Sequence, residues 1–162
     1  MVVRRTVVSH LENLRKFLQD LDRYRQRISR EEFFRDRDKQ AMVLFALLEA
    51  IQLCIDLGSH VISEKGWRKP ETYRDVFRVL SENNLIDEPL RDQLQHLAGF
   101  RNIIVRLYGK LDLDKVYELF RSDHEAITRF AKVVEGLLED ESGDGGGGVT
   151  IPKSYNPACI TC

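Results

Sequence analysis

The chain has 162 residues, 43% of them apolar and 31% charged, with a formal net charge of −1. This is the composition of one soluble domain with a single core, and it excludes the global basic field of a general nucleic-acid binder, so any RNA contact must come from a local patch. No apolar run is read as a membrane span, no signal peptide opens the chain and three cysteines make no disulfide framework, which points to a reducing, cytoplasmic setting.

Residues 6–24 place Val8, Leu11, Leu14, Leu18 and Leu21 on one helical stripe. Arg15, Lys16, Arg23 and Arg25 fall on or near the outer side, where a solvated face is the default reading; His10 has no evident partner. Ser29-Arg30-Glu31-Glu32 fits a capping box, so a helix can start at Arg30. It leads into the longest apolar stretch, residues 41–62, apolar almost all the way round like the central helix of a bundle. One strip interrupts it: Glu49, Gln52, Asp56 and His60, spaced so that they align on one face. The strip is either a polar edge at the surface or the flank of a cleft. His60 is its group best able to exchange a proton near neutral pH.

Gly66 and Pro70 punctuate a loop that holds Trp67. Residues 71–82 read as a short helix with Tyr73, Val76, Phe77 and Leu80 on its apolar face, ended by Asn83-Asn84. Asp87 and Pro89 then suit the cap and first turn of a helix over residues 87–108. Leu90, Leu94, Leu97, Ala98, Arg101, Ile104, Val105 and Tyr108 share one broad face of it. An arginine and a tyrosine therefore sit inside an apolar stripe. A second strip carries Gln95, Gly99, Asn102, Arg106 and Gly109. Each helical glycine costs about 1 kcal/mol against alanine, and two of them around Asn102 and Arg106 leave room for a ligand. A buried helix with one satisfied Arg and one satisfied Tyr explains the residues as well.

After a turn at residues 109–113, Asp114 is expected to cap a last helix to about residue 140. Residues 141–162 change to a Gly-rich tail that cannot bury enough apolar surface to order itself. Its Cys159 and Cys162 form a lone C-x-x-C, a weak redox or metal signal. The domain is therefore placed at residues 1–140, an all-α bundle of about five helices.

The segment GFRNIIVRLYGKLD resembles the signature of the HEPN superfamily in its HepT branch, where Arg, a polar residue, three further residues, His, any residue and Tyr follow in order. Arg101, Asn102 and Tyr108 match in type and spacing, whereas Arg106 stands at the histidine position. The similarity extends from about residue 10 to 138, through LLEAIQLCIDLGSHVISEKG, PETYRDVFRVLSENNLID and the final helix. It implies a toxin acting as a metal-independent endoribonuclease, with catalytic positions Arg101, Asn102 and 106. It also implies a homodimer with its cleft between protomers, and an MNT-type nucleotidyltransferase antitoxin that adenylylates Tyr108. Glu49, Asp56 and His60 are candidate cleft-lining residues.

Arginine stays protonated near neutral pH, so Arg106 can bind phosphate but cannot carry a proton. The chain as written is then expected to be a weakened nuclease; the alternative is a non-catalytic helical adaptor that binds RNA or the nucleotidyltransferase. None of the four histidines has a glutamate three residues before it, and no HExxH, P-loop or nucleophile elbow occurs, so no metal or cofactor is expected.

Overall fold

The computed structural model describes residues 2–122 and 124–143, without the side chains of residues 2, 3, 108, 142 and 143. Within them the chain forms α1 (Val2–Arg27), α2 (Arg30–Arg35), α3 (Arg37–Lys65), α4 (Tyr73–Glu82), α5 (Glu88–Leu107), a 3-10 turn (Tyr108–Lys110), α6 (Leu113–Arg121) and α7 (Glu125–Gly143). The expected all-α bundle is present, with two of its five expected helices divided.

Local polar chemistry causes both divisions. The capping box forms: Glu32 N–H donates to Ser29 Oγ at 3.2 Å, and Ser29 N–H donates to the Glu32 carboxylate at 2.9 Å. That helix stops after six residues because Asp36 is extended and caps the next one, accepting from the N–H of Asp38 and Lys39 at 2.9 and 3.3 Å. Gln40 Nε2 spans the break by donating to the carbonyls of Phe33 and Phe34. The last helix starts two residues earlier than expected, capped by Asp112 rather than Asp114, and is divided into α6, which ends at Arg121, and α7, which begins at Glu125. The Glu88 helix is capped as the sequence suggests, with Leu90 N–H donating to Asp87 Oδ1 at 2.9 Å.

Helix α3 is the hub. By length and hydropathy it could cross a membrane, contrary to the expectation that no run is long enough, but most of its apolar stretch is buried inside the bundle. α1 runs antiparallel to it, with His10 beside His60 and Phe17 beside Phe45. α5 is antiparallel on another side: Leu90 and Leu94 share a core cluster with Val61 and Ile62, while Ile104 belongs with Leu44 and Leu47. Two apolar clusters result. One joins α1, α3, α4, α5 and α7; the other joins Leu21, Phe33, the start of α3, Ile104 and Phe120. Phe17, Phe100 and Leu119 pack against both and weld them together. Phe100 directly precedes Arg101, so the motif begins at this junction.

Three acidic and basic side chains fix the loop before α4. Arg68 donates two hydrogen bonds of 2.8 Å to Asp75 and two of 2.9 Å to Glu82. Asp75 also accepts from Glu71 N–H at 2.9 Å. The Arg68 guanidinium, and then that N–H, hold the Asp75 carboxyl down at about 2 from its usual 3.8. A depressed carboxyl pKa stabilises the fold above the unfolded value and loses that contribution as pH falls through the folded value. Arg68 is 44% exposed, so water screens the pair and the linkage is worth roughly 1–2 kcal/mol. Thermal stability is expected to fall between about pH 4 and pH 2. Asp75→Asn should be less stable at neutral pH and lose part of that acid dependence, measured by circular dichroism melts across the range.

The Gly-rich tail from residue 144 and the Cys159/Cys162 pair lie outside the described residues; α7 itself continues to Gly143, past the expected end at residue 140.

Candidate active site

Arg101 is held by a neutral group. Its Nε donates to Gln52 Oε1 at 2.9 Å, and Gln52 Nε2 donates to Asp56 Oδ1 at 2.9 Å. The glutamine amide can satisfy both neighbours in only one orientation, carbonyl toward the arginine and NH₂ toward the carboxylate. The relay positions Arg101 without bringing a carboxylate onto it, and among the described residues no ion pair cancels its charge. Arg101 Nη1 reaches Asn102 Oδ1 at 3.3 Å, and the guanidinium carbon lies 4.8 Å from the centre of the Tyr73 ring. Such a cation–π contact contributes about 0.5–1 kcal/mol at a partly exposed site and fixes the plane of the guanidinium.

The polar strip of α3 therefore flanks Arg101. Gln52 and Asp56 are joined to it, and His60 continues the strip one turn on. His10, without an evident partner in the sequence, packs its ring 5.5 Å from that of His60. Burial lowers the His10 pKa, Asp56 opposes the shift and His60 adds to it. Glu49, half-buried on the same face, lies on the other side of Gln52.

The strip of α5 differs from its reading in sequence. The space beside Gly99 is filled by the Arg74 side chain: a Cβ at Gly99 would fall 2.9 Å from Arg74 Cζ and 3.0 Å from its Nε. Those distances are below ordinary contact. Gln95 Nε2 donates to the Arg74 carbonyl at 3.1 Å and pins α4 to α5 there. Arg74 and Tyr73 are site neighbours that sequence reasoning missed. The only signal for them was the glycine in a helix, which marks a close approach without naming its partner. Beyond its chain neighbours, no described residue comes within 4 Å of where a Cβ at Gly109 would stand. Arg106 is exposed, and no hydrogen bond or ion pair reaches it among the described residues. Tyr108 begins the 3-10 turn at the end of the motif helix; its side chain, and so the expected solvent access of its hydroxyl, lies outside the description. The structure thus brings Arg101, Asn102, Gln52 and Asp56 together, and leaves Arg106 one turn beyond Asn102, outside that network.

Residues 14–134 match the family described as Ribonuclease HepT-like. The chain belongs to the HepT-like ribonuclease family. A similar HepT-like protein is the mRNA nuclease HepT of Shewanella oneidensis, 34% identical over 104 residues, which are 64% of this chain and 78% of that one. Among solved structures, the tri-AMPylated Shewanella oneidensis HEPN toxin in complex with MNT antitoxin superposes with a TM-score of 0.73 at 28% identity, over 80% of this chain and 96% of that one. YutE of Bacillus subtilis, a cytosolic protein of unknown function, superposes with a TM-score of 0.74 over 88% of this chain and 95% of that one. Its 21% identity shows the HepT-like fold alone.

Proposed function

We propose that this chain is the toxin of a toxin–antitoxin pair, a metal-independent endoribonuclease acting in the cytoplasm as a homodimer, with Arg101 and Asn102 at its catalytic centre. The observation that carries the reading is an arginine on the motif helix, oriented by a glutamine and an aromatic face, with no carboxylate paired to it among the described residues. In cleavage of this kind the RNA 2′-hydroxyl attacks the adjacent phosphorus and the 5′-oxygen leaves. One group must take the hydroxyl proton, another must protonate the leaving oxygen, and a cation must stabilise the phosphorane. A guanidinium suits the last role because it stays charged and matches two phosphate oxygens at once. Asn102 donates to phosphate or orients the reacting groups.

The histidine position of the family pattern is assigned to Arg106, which supplies charge but no proton transfer at neutral pH. We therefore propose that the chain binds RNA and cuts it slowly or not at all. This residue also favours a second reading, a helical adaptor that binds RNA or its nucleotidyltransferase without catalysis. Glu49, Asp56 and His60 are proposed to line the cleft, with Asp56 setting the Gln52 amide.

Control is proposed to come from an MNT-type nucleotidyltransferase that transfers AMP to Tyr108. The support is the tyrosine two residues beyond position 106 and the AMPylated state of the Shewanella toxin. Incubation of the purified chain with its nucleotidyltransferase and ATP is expected to add one or more AMP masses to the peptide containing Tyr108, read by mass spectrometry. Tyr108→Phe should remain unmodified. Modification that persists on that variant overturns the assignment.

A further inference from the structure

The geometry points to Arg74 as a second phosphate-binding residue, gripping the RNA backbone beside Asn102 on the strip of α5 that also carries Arg106. The inference rests on the RNA reading above and names a residue outside the motif.

Three features set Arg74 apart from an ordinary surface arginine. Its guanidinium lies against a helical glycine, Gly99, where any larger residue would collide with it. The guanidinium is the far end of an exposed, flexible side chain, so the glycine marks where it rests on α5 and does not lock it there. Its backbone is tied at the same place by Gln95. Its charge is also unspent. The acidic groups of α4, Asp75 and Glu82, are both taken by Arg68, and no ion pair reaches Arg74 among the described residues. On α5, Asp92 lies two turns before Gly99 and is paired with Arg91.

The neighbouring residue adds a second argument. Tyr73 stacks on Arg101, so two consecutive residues of α4 both meet the motif helix, one at the arginine of its apolar stripe and one at Gly99 on its polar strip. Gly99, Asn102 and Arg106 follow at spacings of three and four, one above another on that helix. Arg74 sits at the level of Gly99, about 4.5 Å of helix rise before Asn102 and about 10.5 Å before Arg106. A strip with an unpaired guanidinium near each end and an amide between them follows an extended phosphate backbone. It does not recognise base edges, so the ligand class is single-stranded RNA bound without strong sequence preference.

The test uses the full chain and a short fluorescein-labelled oligouridine, with anisotropy measured across a potassium chloride series. Each phosphate neutralised on a single strand contributes about 0.7 to the slope of log K against log salt. Arg74→Ala is expected to weaken binding and reduce that slope by about 0.7, with an unchanged circular dichroism spectrum. Arg74→Lys should keep the slope while binding less tightly, because it retains the charge but not the fork. A structural strap between α4 and α5 would alter melting and leave the slope alone. If Arg101→Ala loses affinity while Arg74→Ala keeps the parent slope, Arg74 is no phosphate contact and the RNA reading stands without it. If neither variant changes binding, or the parent shows none, both fall together.

Discussion

Arg106→His is expected to turn a protein with little or no ribonuclease activity into one that cuts RNA about 10²–10⁴-fold faster, the usual worth of positioned general acid–base catalysis. The chemistry requires a group that both takes and gives a proton near pH 7, and imidazole does so where guanidinium does not. The position tolerates the change, since Arg106 is exposed and no described partner would be left unpaired. Arg101 and residue 106 differ by a rise of roughly 7.5 Å and a rotation of roughly 140°, so they project differently from one helix. Both can border a cleft closed by a second protomer. Cleavage should resist chelators, leave a 2′,3′-cyclic phosphate and make the protein toxic when expressed without its nucleotidyltransferase. Adding Arg101→Ala to the histidine variant should abolish cutting by removing the phosphate contact. If the histidine variant cuts no cellular RNA, the nuclease reading fails for this chain and the adaptor reading replaces it.

How far the sequence carries depends on whether the signal is local. The capping box at Ser29, the cap at Asp87 and the apolar stripe of α1 are set by residues within a turn or two of each other, and they appear as read. The polar strip of α3 was also legible, because helical spacing alone aligns Gln52 with Asp56. Its role was not, because the partner of Gln52 is 49 positions away on α5. Arg74 was invisible for the same reason. A helical glycine tells of a close neighbour, and only the packing of α4 on α5 says which. The division of the last helix was readable in principle: Ser122-Asp123-His124-Glu125 carries helix-start residues inside what looked like one apolar stripe. The continuous stripe of Phe120, Ile127, Phe130 and Val134 masked it, since both halves bury the same kind of surface.

Phe45→Asp is expected to convert a dimer into a monomer. Among the described residues, the large apolar side chains left most open to solvent include Phe45 at 58%, Ile103 and Val105 at 51%, Leu107 at 48% and Met42 at 44%. They belong to the start of α3 and the end of α5, which meet through the cluster that holds Leu44, Leu47 and Ile104. Phe45 lies on the same face of α3 as Glu49 and Gln52, and Val105 is one turn beyond Arg101. The open apolar surface therefore adjoins the candidate site. In α5 the stripe that buries Leu94 and Ala98 continues into Arg101 and Val105, where the bundle no longer covers it. Apolar groups at that density rimming polar ones are what a self-association surface needs. A central aromatic contact typically contributes about 2–4 kcal/mol, so the charged variant should dissociate roughly 30–700-fold more readily. Sedimentation should give twice the 18.9 kDa chain mass for the parent and the single mass for Phe45→Asp at micromolar concentration. In the Arg106→His background the same change should remove cleavage, because each cleft then lacks its second wall. A parent that sediments as a clean monomer, or a Phe45→Asp monomer that still cuts RNA, would sink the paired-cleft account.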